Sequence, residues 1–208
     1  MKKNNYSLTK DPIKKLFIGI AIPSSVGTIF QTLYNIVDTF FAGKISPEAL
    51  AAIAQTFPIY FIIIALGVGI SIGTTSLIAN SIGEKKDNKA SFYLAQAVII
   101  ALIVSILVTI IGLKTAPHIL NTMNTQYSTI LLSLDYLNII FIGCIFFFIQ
   151  ITVNSSLTAK GDTKSNRNIL IFSFFLNIVL NPLFIFGYGL IPAMGIKGIA
   201  LATITAQF

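Results

Sequence analysis

Long apolar stretches alternate with short polar ones along the whole chain. Residues 16–42 form the first stretch, interrupted by a single acid, Asp38. Residues 49–82 form the second and 92–113 the third, neither holding a charged side chain. Residues 130–157 form the fourth, with Asp135 near its start, and 169–187 the fifth. A sixth begins at residue 197 and has not completed a crossing by residue 208. A membrane-spanning helix needs about 20 predominantly apolar residues. The pattern therefore predicts five transmembrane helices and an incomplete sixth. The unfinished sixth reads as belonging to the N-terminal portion of a longer protein. The first stretch is longer than the core of a signal peptide, about 7–15 residues, and lacks a small-residue cleavage site, so it is expected to stay as an anchor.

Composition agrees with this pattern and narrows it. Of 208 residues, 55% are hydrophobic and 10% charged, and the mean hydropathy is +0.85. A soluble domain carries about 25% charged residues, which keep its surface wet. Disorder is excluded because disordered chains are poor in apolar residues. A disulfide scaffold is excluded because Cys144 is the one cysteine. The net charge of +7 does not point to nucleic acid, because the basic residues punctuate the apolar runs instead of forming one patch. The lipid bilayer is the expected partner.

Those basic residues set an orientation, since cytoplasmic loops collect Lys and Arg. A cytoplasmic N-terminus places eleven inside (Lys2, Lys3, Lys10, Lys14, Lys15, Lys85, Lys86, Lys89, Lys160, Lys164 and Arg167) and three outside (Lys44, Lys114 and Lys197). The expected organisation is a basic cytoplasmic tail over 1–15 and a transmembrane region over 16–208, in the cell membrane. Residues 114–129 form the longest predicted connection, an outer loop holding the one histidine, His118.

Polar residues inside a span should face protein or a water-filled cavity, because lipid offers no hydrogen-bond partners. In the first span Ser24, Thr28, Gln31, Asn35 and Asp38 follow one another at helical spacing and mark one face. Tyr34 sits one turn below Asp38, and Pro23 can bend the helix at its lower end. The fifth span repeats the pattern with Ser173, Asn177 and Asn181, followed by Pro182. The fourth offers Gln150, Asn154 and Thr158. The simplest arrangement turns all three stripes toward a shared central cavity lined by Gln31, Asn35, Gln150, Asn154 and Ser173. Asn177 and Asn181 also suit hydrogen bonding between helices.

Asp38 carries the sharpest signal. A carboxylate at mid-span costs about 2.5–3.5 kcal/mol on insertion scales and marks an ion or proton path by default. Asp135, beside Tyr136, reads instead as an interfacial acid next to an aromatic anchor. Gly69 and Gly73 form a G-x-x-x-G motif that supports close helix packing. Cys144 reads as a small apolar filler. A nucleophilic set, a metal cluster or a facing pair of acids is not evident, so an enzyme is not expected and no cofactor is implied.

Several ordered motifs resemble one family. Pro23 with the run Gln31, Thr32, Leu33, Tyr34, Asn35, Ile36, Val37 and Asp38 is similar to the first helix of the multidrug and toxic compound extrusion (MATE) family. Ala49 to Ala54, Lys160 to Lys164, Leu176 to Ile185 and Met194 to Thr203 resemble later segments of the same family. The resemblance runs from about Pro12 to the last residue. It implies an all-α fold in which two six-helix lobes make a twelve-helix transporter, with this chain as the N-terminal lobe and the C-terminal lobe as its missing partner. It also implies export of drugs and other organic, often cationic, compounds in exchange for sodium ions or protons.

Carried over by position, the resemblance makes Asp38 the coupling carboxylate, with Tyr34, Asn177 and Asn181 around a proton or a sodium ion. It makes Pro23 the point where the first helix bends. Many family members carry an acid at the position of Asn181. An amide does not titrate, so here Asp38 would carry the charge chemistry alone. Ion binding would change the bend at Pro23, reshape the cavity and release substrate outward, a coupling that must be reciprocal. Two alternatives stay open, a lipid-linked-sugar flippase of the same superfamily and a half-lobe without transport of its own.

Overall fold

The computed structural model describes residues 11–123, 126–189 and 191–207. Lys2, Lys3 and Lys10, which enter the orientation, lie outside those residues, as do most of the predicted tail and Phe208. The described residues form six helices: α1 (Ile13–Ile45), α2 (Pro47–Gly83), α3 (Asp87–Thr122), α4 (Tyr127–Ala159), α5 (Thr163–Phe186) and α6 (Ile196–Gln207). α1 contains one π-helical turn, Phe17–Ala21, just before Pro23. A single β-bridge, Tyr188 to Ile191, lies between α5 and α6.

The helices begin where polar side chains can satisfy their first amides. Ser46 accepts from the Ala49 amide at 3.0 Å, and Pro47 opens α2. Asp162 accepts from the Ser165 amide at 3.1 Å and from the Ser165 hydroxyl at 2.7 Å, which starts α5. α5 therefore begins before the apolar stretch predicted from residue 169. α3 likewise runs on to Thr122, so the predicted outer loop over 114–129 is mostly helix and His118 sits on an exposed helical face. The physical reason is common to both. Apolar runs mark the depth of the hydrocarbon, whereas a helix can continue through the headgroup region, where polar residues are solvated.

α4 forms the centre of the bundle and packs against α2, α3 and α6, while α1 packs mainly against α5. Leu137, Phe141 and Phe148 of α4 are fully buried among Ala52 and Ile63 of α2, Ala101 and Leu120 of α3, and Ile199 of α6. Thr109 of α3 donates to the Phe141 carbonyl at 2.6 Å, and Cys144 lies 3.4 Å from the same hydroxyl in this core. Large apolar side chains such as Phe57, Phe61, Ile103, Ile110, Phe172 and Val179 point outward. That surface suits lipid.

Two sequence readings need correction. Tyr136 is no interfacial anchor, being 6% exposed in the core beside Leu137. Its neighbour Asp135 pairs with Lys197 at 3.2 Å and ties the start of α4 to that of α6. Gly69 and Gly73 do not mark a close helix approach: a methyl group added at either meets nothing within 4 Å, and both border a crevice shared with Tyr93, Gln96 and Ala97 of α3. The close approach of α2 to α4 falls instead at Gly67, under Phe147.

Candidate functional site

One edge of α1, formed by Pro23, Gly27, Tyr34, Asp38 and Ala42, is buried. Gly27 lets α5 approach, because a methyl group there would lie 3.1 Å from Leu170. α5 answers with Ser173, Asn177 and Asn181, all buried and one turn apart. α6 closes the third side, and its position is set by the connection from α5. The Met194 amide donates to the Phe184 carbonyl at 3.0 Å and the Gly195 amide to the Ile185 carbonyl at 3.1 Å. Gly198 then lies directly against the Phe184–Ile185 backbone. This seating delivers Thr203 to Asp38.

The resulting cluster is compact. Asn177 Nδ2 donates to Asp38 Oδ1 at 3.0 Å and Asn181 Nδ2 to the same oxygen at 2.9 Å. Thr203 Oγ1 donates to Asp38 Oδ2 at 2.8 Å. Asn181 Nδ2 also reaches Asn177 Oδ1 at 3.0 Å. The Tyr34 hydroxyl donates to the Thr203 carbonyl at 3.0 Å. Asp38 is 7% exposed, and Asn177 and Asn181 are fully buried. The carboxylate thus accepts three hydrogen bonds from neutral donors, and the ion pairs found among the described residues all lie at helix ends. Hydrogen bonds to a charged partner are the strong ones. They can hold a buried carboxylate without a permanent counter-charge.

Asn181 Oδ1 has no hydrogen-bond partner among the described residues. Asp38, Asn177 Oδ1 and Thr203 Oγ1 make a set of oxygen donors from three helices, and Asn181 Oδ1 would join it if the amide, which now turns Nδ2 toward Asp38, rotated. Hard cations select oxygen ligands, so these residues fit a sodium ion, and Asp38 alone could equally hold a proton.

Beside this cluster lies a cavity of about 240 Å³ between α1, α2, α4, α5 and α6. Gln31, Asn35, Gln150 and Ser173 line it, along with Tyr60, Phe147 and Gln207, and Tyr34 forms the wall shared with Asp38. The polar face of α1 therefore divides in two. Asp38 turns into the bundle, whereas Ser24, Thr28, Gln31 and Asn35 remain on exposed positions beside it. Asn154 does not line this cavity, which ends one turn away at Gln150 and Ile151. Its Oδ1 is buried without a partner among the described residues.

Sequence reasoning missed Thr203. α6 is too short for a polar period to stand out. Tyr60 was missed because it stands alone in an otherwise apolar run, and Gln207 because it lies in the same short segment as Thr203.

Apolar helices that enclose a carboxylate and a polar cavity define a multi-pass α-helical membrane protein whose chemistry lies inside its bundle. The model of the MatE family matches residues 23–183. The chain therefore belongs to the MatE family, a family of multidrug efflux transporters. It is 27% identical over 202 residues to the FAD transporter of Shewanella oneidensis, covering 97% of this chain and 45% of that protein. It is 30% identical over 194 residues to the Bacillus subtilis protein named probable multidrug resistance protein NorM, covering 93% and 43%. It superimposes on an outward-facing multidrug resistance MATE family transporter with a TM-score of 0.85 at 30% identity, covering 93% of this chain and 42% of that one. The chain spans less than half the length of these relatives. Both the family resemblance and the expected all-α bundle are borne out.

Proposed function

We propose that this chain supplies the ion-coupling half of a secondary antiporter that exports organic, often cationic, compounds from the cell in exchange for sodium ions or protons. The observation that carries the reading is Asp38, a buried carboxylate held by Asn177, Asn181 and Thr203 with no basic partner among the described residues. Tyr34 bonds to α6 and walls the cavity at once, so it links ion and substrate sites. An ion at Asp38 draws α1 toward the α5–α6 pair, and the π-turn and Pro23 at the lower end of α1 give it a place to flex. Substrate occupies the cavity beside Gln31, Asn35, Gln150 and Ser173.

The cavity lining holds aromatic and amide side chains and no Lys or Arg among the described residues. That chemistry favours a planar cationic or neutral compound over a diphosphate-bearing one such as FAD or a lipid-linked sugar. An N-terminus in the cytoplasm and a location in the cell membrane belong to the same proposal, and the lysines at the start of α1 and in the α2–α3 and α4–α5 connections support them. The test is ethidium efflux from a pump-deficient bacterial host that expresses the full-length gene product. Asp38→Asn is expected to abolish efflux at equal membrane abundance. Undiminished efflux would reject the coupling role.

A further inference from the structure

We infer that the Asp38 site takes one monovalent cation per transport cycle, and that Asn181 is the residue that limits it to one. The inference rests on the coupling role proposed for Asp38. Asp38 is the only buried acid among the described residues. Asp135 and Glu84 pair with lysines at helix ends, and Asp162 caps α5. Among the described residues, no second negative charge reaches the cluster.

Asn181 occupies the place from which one could. Its side chain lies 2.9 Å from Asp38 Oδ1. Two carboxylates that close repel each other, so the pair holds its first proton tightly and has room for a second, where a lone carboxylate has room for one. The amide avoids this and serves both states of the site. When Asp38 is charged and empty, Nδ2 donates to it, using its two protons on Asp38 and Asn177. When a cation or proton arrives, rotation about the terminal torsion turns the unpartnered Oδ1 inward as a further acceptor or ligand. The site carries one negative charge empty and none loaded. Exchange of one such ion for one monovalent organic cation then moves no net charge across the membrane.

The test reconstitutes the full-length gene product in liposomes, with ethidium as the monovalent cation and potassium with valinomycin to set the membrane potential. An imposed sodium or proton gradient is expected to drive ethidium exchange to a final gradient that does not change with potential. Asn181→Asp adds a charge to the site and should make that final gradient potential-dependent. One uncompensated charge shifts the balance tenfold for about 59 mV. A wild-type gradient that follows the potential overturns the count of one while leaving antiport intact. Ethidium flux indifferent to both ion gradients overturns the antiport reading, and the count with it. The wild-type measurement decides the count even if Asn181→Asp fails to insert.

Discussion

Adding one methyl group at Gly198 should push α6 off α5 and loosen the cluster around Asp38. The magnitude follows from the seating of this helix. A Cβ at Gly198 would lie 2.6 Å from the Phe184 carbonyl carbon and 2.7 Å from both the Phe184 oxygen and the Ile185 nitrogen. Ordinary contact begins near 3.4 Å, so the shortfall is about 0.7 Å, and all three neighbours are backbone that cannot rotate away. A displacement of that size is enough to stretch the Thr203–Asp38 bond from 2.8 Å to the limit of hydrogen bonding. Overpacking of this kind costs about 1–3 kcal/mol. Cys144, the one cysteine of these 208 residues and 2% exposed, provides a built-in reporter once any cysteine elsewhere in the full-length protein is replaced by serine. Its labelling by a thiol-reactive dye on heating the purified full-length protein in detergent marks unfolding of the bundle. Gly198→Ala is expected to lower the labelling midpoint and to weaken ion-driven ethidium efflux together. An unchanged midpoint with unchanged efflux would refute the seating of α6 described above.

Three further outcomes follow from the same geometry. Gly69→Ala and Gly73→Ala should leave both the midpoint and efflux unchanged, because neither added methyl group meets a neighbour within 4 Å. Thr203→Val removes the 2.8 Å donor to Asp38 while keeping the carbonyl that Tyr34 uses. The lost hydroxyl also belongs to the oxygen set that would hold sodium, so in a sodium-coupled protein the half-maximal sodium concentration for efflux should rise. Gln150→Leu alters the cavity lining one helix away from the carboxylate. It should weaken ethidium affinity and leave the ion dependence of efflux in place, as read from ethidium titrations at fixed ion concentration.

Much of the fold was legible in the pattern of apolar runs, because lipid demands continuous apolar length from every span. The ends of the helices were not legible, since α3 and α5 extend into polar segments where hydropathy carries no signal. That Asp38, Asn177 and Asn181 face the interior of the bundle could be anticipated because each stands in a helical series of polar residues on its own span, and the family resemblance implied their grouping. Thr203 could not, because its role depends on how the Gly187–Gly195 connection folds α6 back onto α5. Gly187 adopts a φ of +76°, and a methyl group there would lie 2.7 Å from the Ala193 amide. This turn is a tertiary feature with no periodicity. The polar series on α4 misled at Asn154 for the same kind of reason: spacing defines a face of a helix but not how far along that face a cavity extends.

The most direct measurement compares wild type with Asp38→Asn in liposomes holding the full-length gene product, with ethidium binding measured alongside ethidium transport. Wild-type transport is expected to accelerate under a sodium or a proton gradient. Asp38→Asn is expected to bind ethidium and to show no response to either gradient. Gradient-driven transport that survives in Asp38→Asn would contradict the assignment of Asp38 as the coupling site.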